Sequence, residues 1–315
     1  MLRVRVYDNG RLLDGDEGLL THGGAKWIDV LQPDEPTLNR LAERFGLHKL
    51  AIEDCLHLDQ RPKLEEYGNH QFIVLQGFSC VEQRWSNLTM HEVHFFLGPD
   101  WLITVHDQGH AAIEHTHKRL EADPANTIGR GVDFVAYLLA DALVDGNFPL
   151  LESFNEALED LEERIFTAFP TPEVLHETFQ LKRALVQVRR VLSPQRDVVG
   201  LLARQGIPQV NERTTLYFRD VFDHLVRLYE QIDAARDLVG NVVDAYLSQV
   251  ANRTGDISKQ LTIFASIFMP LSFIVGFFGQ NFDALGRPQF MWAMLVSMVV
   301  LPASMIAWFR HKGWI

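Results

Sequence analysis

Cysteine and positive charge are both scarce in this sequence. Only two of the 315 residues are cysteine, Cys55 and Cys80, which excludes a disulfide framework and a four-cysteine zinc site and suits a reducing compartment. Acidic side chains outnumber basic ones by 41 to 29, and the formal net charge is −12. This balance excludes a duplex nucleic-acid binder, which needs a basic surface to release counterions from phosphates. Cations are therefore the expected partners, and nucleic acid is not.

The common motifs of enzymes are also missing. Residues 21–24 precede a predicted strand rather than a helix, so they form no phosphate-binding loop, and no Gly-x-Ser-x-Gly pattern occurs. His91 and His94 lack the His-Glu-x-x-His spacing, and on a strand they point to opposite faces. A looser group of histidines lies at positions 106, 110, 115 and 117, and we assign no metal site to it. We expect a protein that is not an enzyme.

Charge is absent altogether from two C-terminal segments. Residues 261–282 and 290–309 contain no Asp, Glu, Lys or Arg. Each run is about 20 residues long, which is enough for one helix to cross a bilayer. The alternative, a pair of buried core helices, is disfavoured because the second run has no polar face. The sequence therefore predicts a membrane hairpin at the C-terminal end.

The flanking charges predict how this hairpin is oriented. Arg253 and Lys259 precede the first segment and Arg310 follows the second, whereas the loop between them carries one acid and one base. Basic residues are retained on the cytoplasmic side, so both termini are expected there. The N-terminal residues form no apolar signal segment. We expect a multi-pass protein of the plasma (inner) membrane with a large cytosolic part.

The remaining pattern predicts five regions. Strand-like alternation at 2–7, 26–30, 70–78, 91–97 and 101–106, with helical spacing at 36–45 and 49–58, favours a cytosolic α/β domain over 1–125. Cytosolic antiparallel helices are expected over 126–207, one acidic and the next basic, interrupted by prolines that include Pro194. A stalk helix and the first transmembrane helix follow over 208–282. The outer loop covers 283–289, and the second transmembrane helix with a basic tail covers 290–315.

Proline is absent between Pro208 and Pro270, and apolar residues recur there at helical spacing. The interval predicts one helix, on the order of 90 Å long if unbroken, that runs directly into the first apolar segment. Every seventh residue in its C-terminal half is small or polar. A seven-residue repeat is typical of helices from several copies wound around one another. We call these residues the small-residue file: Asp244, Ala251, Ser258, Ala265 and Ser272. Such residues either let helices approach closely or line a pore.

Residues 259–282 resemble the first membrane span of the CorA family of divalent-cation transport proteins. The span ends in Gly279-Gln280-Asn281, which matches the Gly-x-Asn signature of that two-transmembrane superfamily. Further segments also resemble family positions, so the resemblance covers nearly the whole chain. These segments are 27–30, 46–55, 60–63, 102–106, 217–221 and 312–315.

The resemblance implies a homopentameric funnel in which the stalk helix and first span surround the conduction path. The small-residue file then becomes the pore lining, joined by Leu261 and Met269, which either close the path by dewetting or serve ordinary packing. Five copies of Asn281 would form a polar outer mouth, with carbonyls exposed by Gly279. Neutral oxygens of this kind select hydrated Mg²⁺ without stripping its water. The usual Met of the signature is Gln280 here, which either joins the mouth or packs away.

Family members are regulated by cytosolic Mg²⁺ held between subunits, and two residues match this role. Asp220 lies in the matching segment 217–221 and is the first candidate ligand, with a solvated helix face as its alternative reading. The usual partner acid corresponds to Val81, so the next residue, Glu82, is the second candidate. Ion occupancy between carboxylates would stabilise a closed ring.

The sequence thus predicts a channel for passive influx of hydrated Mg²⁺, gated by cytosolic Mg²⁺. Co²⁺, Ni²⁺ and Zn²⁺ are the other candidate ions, and the expected partners are further copies of the chain and the lipid bilayer. A zinc transporter of the same superfamily is the main alternative. A membrane-anchored metal sensor without conduction is a third hypothesis, and ion-flux measurements distinguish all three.

Overall fold

A computed structural model describes residues 1–57, 60–80, 88–167, 171–280 and 288–314. These residues divide into a first unit, 1–167 with 171–243, and a second unit that begins at Asp244. The strands are β1 (Leu2–Asp8), β2 (Arg11–Gly15), β3 (Ala25–Leu31), β4 (Lys63–Glu66), β5 (Gln71–Cys80), β6 (Leu88–Leu97) and β7 (Trp101–His106). The helices are α1 (Glu35–Phe45), α2 (Lys49–Leu56), α3 (Ala111–Ala122), α4 (Val132–Asp145), α5 (Phe148–Thr167), α6 (Pro172–Leu202), α7 (Glu212–Phe278) and α8 (Pro288–His311).

The first unit is built on a seven-stranded mixed sheet in the order β2-β1-β3-β7-β6-β5-β4. Of the strand pairs formed by the described residues, β3 with β7 is the parallel one, and the other neighbours are antiparallel. The β1–β2 hairpin turns at Asn9 and Gly10, which both have positive φ, the conformation that a tight two-residue turn requires. The five strands expected from alternation are confirmed, whereas β2 and β4 were not expected.

The central strands bury both of their faces, and alternate residues of β3 show how. Ile28 and Val30 pack into the apolar cluster beneath α1 and α2, which includes Leu38 and Ile52. On the opposite face of the sheet, Trp27 stacks on the ring of His117 in α3, with 4.0 Å between ring centroids. The sheet is therefore a rigid layer with helices on both sides, as expected of an α/β unit.

Helix α6 does not break at Pro194, so that predicted interruption is wrong. The proline leaves the carbonyl of Arg190 without its helical donor. Its neighbours Leu192, Gln195 and Val198 are nevertheless buried along one face of α6. Tertiary packing of this face offsets the cost of the missing hydrogen bond.

The expected attraction between an acidic α5 and a basic α6 is not what joins these helices. Among the described residues, the ion pair between these helices joins Arg164 of α5 to Glu177 of α6. The base is therefore on α5 and the acid on α6, which is the reverse of the prediction. Apolar side chains are buried along both helices, including Leu158 on α5 and Leu185 on α6. The basic side chains of α6 are therefore not neutralised by α5.

Candidate functional site

Helix α7 continues without a break from Glu212 to Phe278 and passes through Pro270, which confirms the single long helix. Its apolar part and α8 are long and apolar enough to cross a membrane, and neither has its apolar stretch buried in protein. Residues 132–167 also satisfy the length and composition criteria, but two thirds of that stretch is buried in the first unit. Large apolar side chains such as Phe273, 73% exposed, and Val299, 70% exposed, cover α7 and α8. These two helices fit insertion into a bilayer.

The small-residue file lies along one exposed strip of α7. Asp244, Ala251, Ser258, Ala265 and Ser272 are all exposed in the single chain. Leu261 is 69% exposed and Met269 is 73% exposed. The half-buried positions within the apolar stretch of this helix fall elsewhere, at Ile263, Ser266, Ile267, Pro270, Leu271, Ile274 and Phe278. The file is thus free to face another subunit or an axial path, and its role as a pore lining stays a prediction.

Gly279 follows the last residue of α7 in a close backbone contact. Its N–H donates to the carbonyl of Val275 at 2.9 Å, and a Cβ built on Gly279 would lie 3.0 Å from that same oxygen. A larger residue would therefore push the chain away from the helix end. Gln280 is exposed, and Asn281 lies outside the described residues. The selectivity role of all three residues stays a prediction.

The two apolar helices are joined at the end where their basic residues lie. Lys259 Nζ donates to the carbonyl of Gly313 at 3.3 Å and lies 5.9 Å from the ring centroid of Trp314. Trp314 also stacks on Phe309, which is 2% exposed. Aromatic and basic side chains of this kind are enriched where transmembrane helices meet water.

An acidic cluster that the sequence analysis missed lies in the first unit. Asp141 and Asp145 are one turn apart on α4, and His224 on α7 faces them, with its Nδ1 2.8 Å from Asp145 Oδ1. One ligand atom from each of these residues lies within 4.8 Å of the others. A groove of about 290 Å³ beside α4 is lined by both aspartates and by His115. Within the described part of the chain, this is the one group of three such side chains close enough to share a metal ion.

The carboxylates of this cluster repel one another. Burial first, and then the negative charges of Asp145 and Asp220, raises the pKa of Asp141 to about 6. Burial likewise raises the pKa of Tyr137 to about 12, with the nearby charge of Asp141 as the next cause. A divalent cation would relieve this repulsion, because carboxylate oxygens suit Mg²⁺ and an imidazole suits Co²⁺, Ni²⁺ or Zn²⁺.

The predicted regulatory residue Asp220 belongs to this neighbourhood. It is exposed on α7, one helical turn before His224, and its charge contributes to the raised pKa of Asp141. The sequence contained a signal for this cluster. Residues 141 and 145 of α4 stand four residues apart, as do residues 220 and 224 of α7, so each pair shares one helix face. Glu82 and its neighbour Val81 lie outside the described residues. The regulatory role of Asp220 and Glu82 stays a prediction.

The structure separates the histidines that are close in sequence. His106 and His117 both contact the buried carboxylate of Asp29, at 3.1 and 3.2 Å. His110 caps α3 by accepting from the backbone N–H of Ala112 at 3.1 Å, and His115 lies in the groove of the acidic cluster. These four side chains therefore have different surroundings: two contact Asp29, one caps α3 and one lines the groove.

The Asp29 contacts form a buried charge network in the first unit. Burial by itself would raise the pKa of Asp29, but hydrogen bonds from His106 and His117 lower it more. Burial conversely opposes protonation of His106, yet the hydrogen bond to Asp29 raises the pKa of that imidazole. These groups face Arg5 and Trp27 inside the unit, so their role is structural.

His91 and His94 occupy different environments on β6. His94 is buried, with Nδ1 3.4 Å from Cys55 Sγ and Nε2 3.2 Å from Glu92 Oε2. The ring of His91 lies near that of His110, with centroids 5.5 Å apart. Their separation confirms the expected opposite directions on a strand.

Comparison with known proteins places these features in a family. Residues 22–311 match the family model described as CorA-like Mg²⁺ transporter protein. The cobalt/magnesium transport protein CorA of Thermotoga maritima is 34% identical over 293 residues, which cover 92% of this chain and 83% of that protein. The zinc transport protein ZntB of Yersinia pseudotuberculosis is 23% identical and covers 81% of this chain and 77% of its own length.

A solved structure has the same fold. The complete CorA magnesium transporter of Methanocaldococcus jannaschii superposes with a TM-score of 0.87 at 24% identity, and the match covers 100% of this chain and 99% of the other. At this identity the likeness establishes the arrangement of helices and strands. It leaves the ion and the regulation to be argued from the residues.

Proposed function

Because the chain belongs to the CorA family of Mg²⁺ transporter proteins, we propose that it forms a homopentameric channel for the influx of hydrated Mg²⁺. Both termini lie in the cytoplasm and two helices of each subunit cross the plasma (inner) membrane. Co²⁺ is a further cargo candidate, since the similar Thermotoga protein is named for transport of cobalt as well as magnesium. Ni²⁺ is a candidate from the sequence resemblance alone.

The exposed file on α7 carries this proposal. Ser272 is a polar position within the apolar stretch of α7, Ser258 lies just before that stretch, and both are exposed in the single chain. A hydroxyl group that faces lipid finds no hydrogen-bond partner there, whereas one that faces an axis shared by several copies meets water and ions. Leu261 and Met269 project from the same exposed helix surface and form apolar constrictions that close the path by dewetting.

The outer mouth selects its ion through neutral oxygens. Gly279 brings the chain tightly around the end of α7, and the exposed Gln280 adds a second amide beside Asn281. Mg²⁺ gives up its water reluctantly, so amide and carbonyl oxygens bind its hydrated form without holding it too tightly to leave. Transport needs no ATP, because a divalent cation gains about 4.6 kcal/mol per 100 mV of inside-negative potential.

Cytosolic Mg²⁺ closes the channel by binding at the acidic cluster. Asp141, whose pKa is raised to about 6, is destabilised as a carboxylate, so a bound cation relieves the repulsion and displaces a proton where the pH is about 6 or lower. Asp220 from the same neighbourhood and Glu82 complete the regulatory site between adjacent subunits. Ion occupancy favours the closed ring, and loss of the ion releases it.

Flux into proteoliposomes tests this function. Purified full-length protein is reconstituted with a Mg²⁺ indicator inside, and a K⁺ gradient with valinomycin sets the potential. We expect Mg²⁺ uptake that increases with inside-negative potential and is independent of a proton gradient. Protein-free vesicles and zero potential are the controls. If the vesicles showed no cation permeability although the protein still bound Mg²⁺, transport would be contradicted and the sensor hypothesis would be favoured.

Zinc transport is the second candidate, favoured by the likeness to the ZntB protein over most of both chains. The same vesicles, loaded with a Zn²⁺ indicator, separate the two. Zn²⁺ uptake that rises with an inward proton gradient, together with little Mg²⁺ uptake, would replace the magnesium channel by a proton-coupled zinc carrier.

A further inference from the structure

A cavity of about 630 Å³ opens between α6 and the sheet of the first unit. Successive turns of α6 form one wall, and the segment before β4 together with β5 and β6 forms the other. Four basic side chains and no carboxylate are among the described residues that line it: Arg61, Lys182, Arg183 and Arg190. Cavities of this size enclose cofactor-sized ligands, and this one attracts anions in a chain whose net charge is −12.

These four cations lack carboxylate partners within the described part of the chain. By contrast, Arg189, next to Arg190 on the same helix, pairs with Asp233 at 2.7 Å. Arg164 of the neighbouring helix α5 pairs with Glu177 at 2.5 Å. Counting the described residues alone, three cations along one face of α6 therefore have no ion-pair partner and are available to a ligand. Guanidinium groups bind phosphate oxygens in two-point geometry.

Gln76 of β5 lines the cavity and has a hydrogen-bond acceptor without a partner among the described residues. It is 1% exposed, and its amide Nε2 donates to the carbonyl of Gln60 at 2.6 Å and to Glu92 at 3.2 Å. These two bonds fix which end of the amide is the donor. Its carbonyl oxygen Oε1 then has no partner among the described residues, a costly state for a buried polar atom. This oxygen is itself buried, so a ligand N–H or O–H group satisfies it once the Gln76 amide shifts toward the cavity.

The cavity also offers apolar contact area. Phe179 and Val186 on α6 are 41% and 40% exposed, and both line the space together with Met90 of β6. Exposed side chains of this size on a cytosolic surface favour a flat ring as their partner, since stacking removes apolar area from water. The lining thus combines cations, an apolar patch and one buried acceptor.

We propose that this cavity binds a nucleoside polyphosphate. The phosphates contact Lys182, Arg183, Arg190 and Arg61, and the base packs on Phe179. The Gln76 amide shifts toward the cavity, so that Oε1 accepts from the base or ribose. All of these groups belong to the first unit, so the inference does not depend on ion transport by the second.

Binding of ATP to the full-length protein in detergent, measured by equilibrium dialysis in EDTA, tests the site. We expect one ATP per chain, with an affinity that falls as the salt concentration rises. Adenosine and inorganic tripolyphosphate serve as probes for the two halves of the ligand, and each should bind more weakly than ATP. No saturable ATP binding would overturn the proposal, and tripolyphosphate binding as tightly as ATP would overturn the nucleoside assignment.

Charge-reversal variants locate the site. Lys182→Glu and Arg183→Glu each remove an exposed cation of the cavity and should weaken ATP binding about tenfold or more, as loss of a charge-assisted hydrogen bond does. Arg227→Glu is the matched control, because Arg227 is exposed on α7, lies outside the cavity and undergoes the same charge change. Equal weakening by all three variants would show a general effect of net charge and would contradict the assignment.

A second variant tests the apolar half independently. Phe179→Ala removes a half-exposed ring, so the fold should tolerate it, and thermal unfolding checks this. ATP affinity should fall about fivefold, which corresponds to the loss of one stacking contact, while tripolyphosphate affinity stays unchanged. Equal losses for both ligands, or none for either, would refute the proposed orientation.

Discussion

Removing the carboxylate of Asp141 should stabilise the metal-free protein while abolishing most of its response to Mg²⁺. Burial and the neighbouring aspartates raise the pKa of Asp141 from 3.8 to about 6. A shift of about two units corresponds to about 3 kcal/mol. Asp141 is only half-buried, so we expect solvent screening to reduce this cost to about 1 kcal/mol.

The sign of the effect follows from where the proton is held more tightly. The folded protein keeps the Asp141 proton up to higher pH than the unfolded chain does, so folding is favoured below about pH 4 and this contribution is lost as the pH rises through about 6. Asp141→Asn removes the cost. The unfolding temperature in EDTA at about pH 7.5 should therefore rise by about 2 to 4 °C, the shift that 1 kcal/mol produces in a domain of this size.

Mg²⁺ should reverse the order of thermal stability, so that wild type becomes more stable than Asp141→Asn. Ionised carboxylates bind the cation, so wild type should gain stability on addition of Mg²⁺, less at about pH 5.5 than at about pH 7.5 because protons compete. Asp141→Asn should lose most of that gain. The assay is thermal unfolding of full-length protein in detergent, in EDTA and in Mg²⁺, at both pH values.

The chain offers a matched control variant for Asp141→Asn. Asp223→Asn neutralises an exposed carboxylate of α7 outside the cluster and should change neither the unfolding temperature in EDTA nor the Mg²⁺ response. If Asp141→Asn were less stable than wild type in EDTA at about pH 7.5, or kept its full response to Mg²⁺, the repulsion inferred for the cluster would be refuted.

Further substitutions test the mouth, the helix end, the regulatory residue and the buried network. Asn281→Ala should abolish most Mg²⁺ uptake into vesicles without altering oligomer size in size-exclusion chromatography; unchanged uptake would remove its role. Gly279→Val should also reduce uptake, because a Cβ meets the Val275 carbonyl at 3.0 Å, and wild-type flux would argue against a tight turn there. Asp220→Asn should weaken inhibition of uptake by Mg²⁺ on the cytosolic side, and unaltered inhibition would count against a regulatory site. Asp29→Asn should cost about 3 kcal/mol of unfolding free energy, since it removes the charged partner of two buried imidazoles; a loss below about 1 kcal/mol would contradict that pairing.

Features encoded in contiguous sequence were predictable. The long α7 followed from the absence of proline and the persistence of apolar spacing, and the two apolar segments followed from the absence of charge. Pro270 lies inside α7 and Pro194 inside α6, so proline by itself was a poor guide to helix ends. Whether a helix survives a proline depends on the burial of its neighbours, which the sequence does not reveal.

Features that depend on distant contacts were not predictable. Strands β2 and β4 are short edge strands with half-exposed polar residues, so alternation does not mark them. The acidic cluster requires α4 to pack beside α7, which brings together Asp145 and His224, 79 residues apart. The regular spacing of acids within each helix was visible, but the apposition of the two helices was not.

Chemical blocking of the file on α7 tests the central claim most directly. In a Cys80→Ser background, where Cys55 is buried, Ser272→Cys places one reactive thiol on the predicted pore surface. A charged methanethiosulfonate reagent should then stop Mg²⁺ uptake into proteoliposomes, and Mg²⁺ should slow the reaction. Phe277→Cys, about 140° around the same helix from Ser272, is also at an exposed position and should leave uptake unaffected. Full Mg²⁺ uptake by the modified Ser272→Cys protein would show that ions do not pass along this file.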